Sequence, residues 1–257
     1  MTCLATSDAQ PHFRGSEMLI VHDMFRREFA LMPGLVRGVA AGDRDRAQII
    51  GDHIEGATSA LHTHHVLEDD NVWPLLLDRC GESVAPLVKL MEGQHHQIAR
   101  LIPQVDEALT VWRDSPTVES RQALVDVLDR LIPALKEHLS TEEDRVVPLM
   151  EQQITATEWN EFLKNESAAV DPGHLPLMLG MLMYEGDPES VEQVIASMSA
   201  DAGPVVRRLA APTFAAHSQR VHGTATPPRS TELCLPSPGT GYLKDQRRVA
   251  ASDEASA

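Results

Sequence analysis

The sequence predicts an all-α protein: an up-and-down four-helix bundle followed by additional C-terminal helices and a disordered tail. Two observations carry this. Apolar residues recur at helical spacing from about Glu17 to Gln153, and Val/Ile/Thr alternation of the strand type is absent. The first helix is expected over roughly 16–41 and stops at Gly42-Asp43, a breaker followed by a cap. The second spans about 43–79 and stops at Gly81-Glu82, the third about 82–113 and stops at Asp114-Ser115-Pro116, and the fourth about 117–151. Connections this short favour antiparallel neighbours. Beyond the bundle, Thr155 to Glu166 reads as a short helix, Pro172 to Tyr184 as another, and Pro188 to about Val221 as one or two more around Gly203-Pro204. Met178, Met181 and Met183 mark an apolar helix expected to dock on the bundle, with a Met-lined lid as the alternative. From Gly223 onward, Pro-, Ser- and Gly-bearing runs and a polar end carry too few apolar residues to pack. The expected organisation is therefore a flexible N-terminus (1–15), the bundle (16–152), a helical extension (153–222) and a disordered tail (223–257).

Composition restricts the setting. The 257 residues include 38 acids against 22 bases, a formal net charge of −16, and no basic cluster marks a helix face or a tail, so nucleic acid is not an expected partner. Neither a leader pattern nor an apolar stretch of about 18 residues is found, which points to a cytoplasmic protein with no membrane partner. Cys3, Cys80 and Cys234 are odd in number and far apart. They read as incidental or buried thiols rather than a disulfide framework or thiolate metal site.

One motif occurs twice. His64-x-x-x-Glu68-Asp69 leads to Pro74-Leu75, and His138-x-x-x-Glu142-Glu143 leads to Pro148-Leu149, each later residue standing 74 places after its counterpart. Four residues of helix are about 400° of rotation, so His and Glu of each pair share a face. Both pairs interrupt an apolar stripe: Ala57, Leu61, His64, Glu68, Val72 and Leu75 in the second helix, and Leu131, Leu135, His138, Glu142, Val146 and Leu149 in the fourth. The first and third helices carry one stripe histidine each, in Met18, His22, Phe25, Phe29 and in Met91, His95, Ile98, Ile102. Six polar side chains thus face the interior in two related halves. Burying two carboxylates and four imidazoles unpartnered costs several kcal/mol per group. Divalent cations compensate directly, and six ligands in two halves suit two of them, with Glu68 and Glu142 each able to bridge. The alternative is a buried hydrogen-bonded network without metal. Absence of thiolate argues against iron-sulfur and copper(I), and four histidines are too nitrogen-rich for calcium or magnesium. Iron is favoured, with manganese and zinc as alternatives.

The series His22, His64-x-x-x-Glu68, His95, His138-x-x-x-Glu142 resembles the hemerythrin family, the cation-binding domains named for their His-His-Glu motifs. The resemblance covers about 16–152. It implies a four-helix bundle holding a non-haem diiron centre, with the two glutamates bridging, an oxo or hydroxo group between the irons, and dioxygen, peroxide or nitric oxide as the molecule bound. The region from about 172 to 222 is similar to the C-terminal extensions of actinobacterial members. One departure stands out. Oxygen-carrying hemerythrins have a second histidine one turn after the third-helix histidine, and Ala99 occupies that position here. One iron is then a ligand short unless His65, His96 or water supplies it. An open position favours redox chemistry over reversible oxygen carriage.

Neighbouring residues are read more plainly. His65 and His96 each follow a stripe histidine by one residue and point about 100° away, as flanking imidazoles or auxiliary ligands. His53 lies on nearly the face of His64 but about 16 Å along the axis, His62 points away, and His174, His217 and His222 lack metal spacing and read as surface residues. Asp23, Asp69 and Glu143 can orient ligand imidazoles or simply be solvated. Pro74 and Pro148 should kink or end their helices beyond the site, and Trp73 reads as core. No catalytic residue stands out beyond the metal ligands. Three functions fit: a diiron redox protein with oxidase or catalase-like activity, a non-enzymatic oxygen or nitric oxide sensor, oxygen carrier or iron-handling protein, and a bundle that metal merely stabilises.

Overall fold

The computed structural model describes residues 11–169, 173–198 and 202–233. Helix α1 spans Gly15–Arg37, α2 Arg44–Leu67, α3 Trp73–Cys80, α4 Ala85–Asp114, α5 Val118–Arg145 and α6 Val147–Gln153. The extension supplies α7 Ala156–Ala169, α8 Leu175–Glu185, α9 Pro188–Ser197, α10 Ala202–His222 and α11 Ser230–Leu233. Among the described residues the only β pairing is an isolated bridge between His12 and Thr155. The fold is all-α.

The breaks follow local chemistry. Gly42 and Gly81 adopt positive φ of 84° and 60°, conformations that cost a side-chain-bearing residue about 1–2 kcal/mol. Asp43 then caps α2 by accepting from the Arg46 amide at 3.0 Å. Thr117 and Ser120 cap α5 reciprocally, each side-chain oxygen accepting from the other residue's amide.

Helices α1, α2, α4 and α5 each pack on the next, and α5 returns to α1, so the four enclose a common interior. That interior is layered. One apolar core contains Phe25, Phe29, Ile50, Leu61, Ile98, Leu128 and Leu135. The other contains Met18, Leu67, Val72, Met91, Val146 and Trp159. On each of the four helices the conspicuous His and Glu residues fall between a member of one core and a member of the other. The polar layer is thus fixed in depth by the apolar residues flanking it.

Both prolines interrupt their helices, Pro148 beyond the site as expected but Pro74 within it, since the distorted turn begins at Glu68. The second helix does not run unbroken to Arg79: residues Glu68–Val72 form a π-helical turn before α3, and the Trp73 amide donates back five residues to the Glu68 carbonyl. Pro74 has no N–H to offer the carbonyl of Asp70 and its ring crowds that oxygen. A widened turn relieves both problems. Pro148 likewise separates α5 from α6 at Val146.

The described residues on either side of the helices from 15 to 222 are anchored, although sequence placed them in flexible segments. Phe13 is buried, its amide donates to Ile154 at 2.9 Å, and its ring lies 4.6 Å from Trp159. Residues 223–233, expected within the tail, return to the fold. Tyr184 donates its hydroxyl to the Pro227 carbonyl at 2.6 Å, and the Ser230 hydroxyl donates to Glu185 at 2.9 Å. The remainder of the expected tail, 234–257, and residues 1–10 lie outside the described residues. Of the three cysteines only Cys80 falls among the described residues.

The methionine-bearing helix α8 docks on α1 and α10, as its apolarity implied. At Gly180 the approach to α10 is so close that a Cβ would overlap the Ala210 carbonyl oxygen and lie 2.7 Å from the Phe214 Cβ. Arg27 of α1 is fully buried at this junction, paired with Glu28 and Glu185, its guanidinium 5.3 Å from the Tyr184 ring and 5.1 Å from the Phe214 ring.

Candidate metal centre

The six side chains singled out from sequence meet in the polar layer: His22 from α1, His64 from α2, Glu68 from the π turn, His95 from α4, and His138 and Glu142 from α5. All six are buried, with Glu68, Glu142, His22 and His138 at 0% exposure. Glu68 lies between two histidines, its Oε1 3.1 Å from His64 Nε2 and its Oε2 3.3 Å from His95 Nε2. Glu142 lies between the other two, with Oε2 3.4 Å from His22 Nε2 and 3.6 Å from His138 Nε2. Nε2 of His22 and Nε2 of His64 are 3.4 Å apart.

Two acids expected as orienting partners take that place, and they do so symmetrically. Glu143 Oε1 is 2.9 Å from His22 Nδ1, and Asp69 Oδ1 is 2.8 Å from His95 Nδ1. Each acid directly follows one of the two central glutamates and reaches a histidine of another helix. Fixing Nδ1 as a donor turns Nε2 inward, as the nitrogen that a cation would take. Asp69 is steadied by the Trp73 indole, which donates at 2.8 Å, and Glu143 by Arg26 at 2.7 Å. Asp23 instead pairs with Arg26 at 3.4 Å.

A seventh residue joins them. His65, read as flanking, is 5% exposed, and its Nε2 has no hydrogen-bond partner. Its ring stacks on His95 with centroids 4.1 Å apart and meets His138 at 4.7 Å. The donor atoms fall into two groups, each within 4.8 Å: His65, His95 and His138 in one, and His22, His64, Glu68 and Glu142 in the other. A single stripe admits one histidine per turn. Two adjacent cations subtend a wider arc, so consecutive residues 100° apart can each serve one of them. Ala99 in place of a histidine was the signal in the sequence that a further ligand, His65, His96 or water, was to be sought. Ala99 and His96 are both exposed, leaving His65 as the imidazole available.

The donor set fits cations. Both oxygens of Glu68 and Glu142, both ring nitrogens of His138, and Nε2 of His95 are buried without a hydrogen-bond partner, an accumulation that native interiors avoid unless an ion compensates. Charge in the cation-free protein is arranged accordingly. Burial alone would lower His22, but the negative charges of Glu142 and Glu143 close beside it, the latter accepting from Nδ1, outweigh it and hold its pKa at about 10. His95 is raised in the same way to about 9 by Asp69 and Glu68. His64 and His138 fall to about 3, chiefly through burial. Burial and the neighbouring Glu142 push Glu68 up, whereas Glu142, despite its burial, is held low by His22. Protons on His22 and His95 thus balance the carboxylates. A bound cation would displace them, since imidazole coordinates as the neutral base.

A cavity of about 740 Å³ opens between α1, α2 and the extension and reaches His64, with Met24, Phe25, Met178 and Met181 among its walls. Two histidines read as surface residues also lie against this region: His217 Nε2 is 3.1 Å from His53 Nδ1, and the His222 side chain is 6% exposed. His53 itself lies outside the central cluster, as its distance along α2 required. No described helix is long and apolar enough to cross a membrane.

Comparison with known proteins agrees with the geometry. The sequence profile of the hemerythrin HHE cation-binding domain matches residues 16–150, a span that contains every residue of the central cluster. No curated protein and no solved structure matches the chain.

Proposed function

Because the chain belongs to the hemerythrin HHE cation-binding family, we propose that this metal-binding protein holds two iron ions and binds dioxygen or peroxide for redox chemistry: peroxide turnover, or oxidation of iron or an organic molecule. The observation supporting this most is the buried cluster of unpartnered imidazole and carboxylate atoms divided into two groups. Nitrogen and oxygen donors without thiolate suit iron, with manganese and zinc as competitors. Such a pair supplies, when bound, Lewis acidity and the electrons needed to reduce a small oxidant.

The protein's own contributions are distinct. Glu68 and Glu142 each extend between histidines of both halves, so either can be shared. Asp69 and Glu143 hold His95 and His22 by Nδ1 and keep their Nε2 atoms aimed inward. Apolar layers above and below exclude bulk water, and the cavity at His64 gives a small apolar molecule a route to the site.

A second reading, reversible binding without turnover in a carrier or sensor, gains from His65. That residue fills the place left by Ala99 and removes the vacancy that argued for turnover. Protein produced in iron-supplemented medium separates these readings. About two irons per chain and an absorption band that shifts with azide are expected. Peroxide-dependent oxygen evolution or substrate oxidation, lost in Glu142→Ala, supports turnover. Spectral response to dioxygen without turnover supports the carrier or sensor. Tightly held zinc, with no charge-transfer band after aerobic reconstitution with iron, overturns both.

A further inference from the structure

A third group of ligand-type residues sits where the extension meets the bundle. Glu28 of α1, His53 of α2 and His222 at the end of α10 place one donor atom each within 4.8 Å of the others. Glu28 and His53 are 2% and 4% exposed. His53 Nε2 lies 3.2 Å from Glu28 Oε2, yet the two are out of line for a hydrogen bond, and neither atom has another hydrogen-bond partner. His222 Nε2 is 3.8 Å from the same oxygen. We propose that Glu28, His53 and His222 form a separate divalent-cation site, best suited to zinc, that clamps the C-terminal extension to the bundle.

The geometry supports coordination over chance proximity. A tetrahedral zinc with bonds of about 2.0–2.1 Å keeps its ligands about 3.4 Å apart, and the separations of 3.2 and 3.8 Å straddle that value. Each donor is oriented from behind. Arg27 donates to Glu28 Oε1, which leaves Oε2 free to face the histidines. His217 meets His53 Nδ1 at 3.1 Å, so Nε2 is the nitrogen presented. Arg46 donates to the carbonyls of Arg220 and Val221 and fixes the turn that carries His222. Arg27 is shared between Glu28 and Glu185, so one guanidinium faces two carboxylates and one negative charge is left for a cation. Two imidazoles and one carboxylate leave a fourth position, and the cavity that reaches His64 is also lined by Glu28 and His53. Water or a small anion can fill it.

Ligands from α1, α2 and α10 make binding at this site and docking of the extension one equilibrium. The test uses the full chain loaded with Zn²⁺, desalted and counted by elemental analysis. His222→Ala and Glu28→Gln should each hold one zinc fewer than the wild type. Glu68→Ala/Glu142→Ala, which disables the central cluster, should retain the zinc that His222→Ala loses. The count therefore separates failure of this site from failure of the diiron reading. Zinc should also slow proteolysis within the extension in the wild type, and do so much less in His222→Ala, a substitution at the rim of the site. Equal zinc content in the wild type and both variants, with equal protection by zinc, would overturn the proposal and leave a proton shared among His53, His222 and Glu28 as the occupant.

Discussion

Glu143 accepts from Nδ1 of His22 at 2.9 Å across 121 residues of sequence, and Asp69 bears the same relation to His95. Neither acid belongs to the repeated His-x-x-x-Glu pairs, yet each decides how an imidazole is presented. Losing such a partner lowers metal affinity by about 10–100-fold. Glu143→Ala is expected to show a loss of that size in competition with a chelator, with Glu143→Gln retaining more. Helical content by circular dichroism should remain unchanged in both.

His65 and His96 are matched controls. One is buried and stacked on His95; the other is exposed. His65→Ala should weaken occupancy of the group containing His95 and His138 and lower the metal content per chain. His96→Ala should leave it unchanged. Equal loss in both variants, or in neither, would contradict the placement of His65.

Pro74 maintains the π turn that carries Glu68 and Asp69. With Pro74→Ala the chain regains an N–H for the Asp70 carbonyl and can close into a regular helix. Closure would rotate Asp69 away from the Trp73 indole and His95, bonds now of 2.8 Å each. The expected result is a melting temperature held or raised together with metal affinity reduced by about tenfold. Equilibrium metal titration alongside thermal unfolding reads both.

Away from the centre, Glu158 ties α7 to Arg79 at the end of α3. Its pKa is lowered to about 2, first by hydrogen bonding to Arg79, with Thr155 adding to the effect against a smaller opposing contribution from burial. A carboxyl held below its unfolded value of about 4.5 stabilises the fold above that pH, and the contribution is lost as pH falls towards 2. The Glu158 side chain is 31% exposed, so solvent limits the contribution to about 1–2 kcal/mol. Glu158→Gln should be less stable by that amount at neutral pH, the difference shrinking as pH drops from 4.5 towards 2. Urea unfolding at several pH values measures it.

Much of the centre was legible because helices impose a period on sequence. His22, His64, Glu68, His95, His138 and Glu142 interrupt apolar stripes, and flanking residues such as Leu61 and Val72 fix their depth. His65 was harder to place, since its inward role depends on a ligand arc wider than one stripe. His217 and His222 were misread because nothing in α10 announces His53 and Glu28, which come from elements more than 160 residues earlier in the chain. Contacts of that kind are set by how the extension docks, including the close approach at Gly180, and leave no periodic trace.

The crossed pairing of Glu143 with His22 and Asp69 with His95 also sets a schedule for biosynthesis. Asp69 and His95 can meet once the third long helix has left the ribosome. His22 must wait for the fourth, although it is made first. Until Glu143 emerges, α1 carries an imidazole with nothing to hold its Nδ1, and half of the centre exists only as an exposed strip on an unfinished bundle. A cation supplied before Glu143 emerges would meet incomplete coordination, so productive loading follows completion of α5.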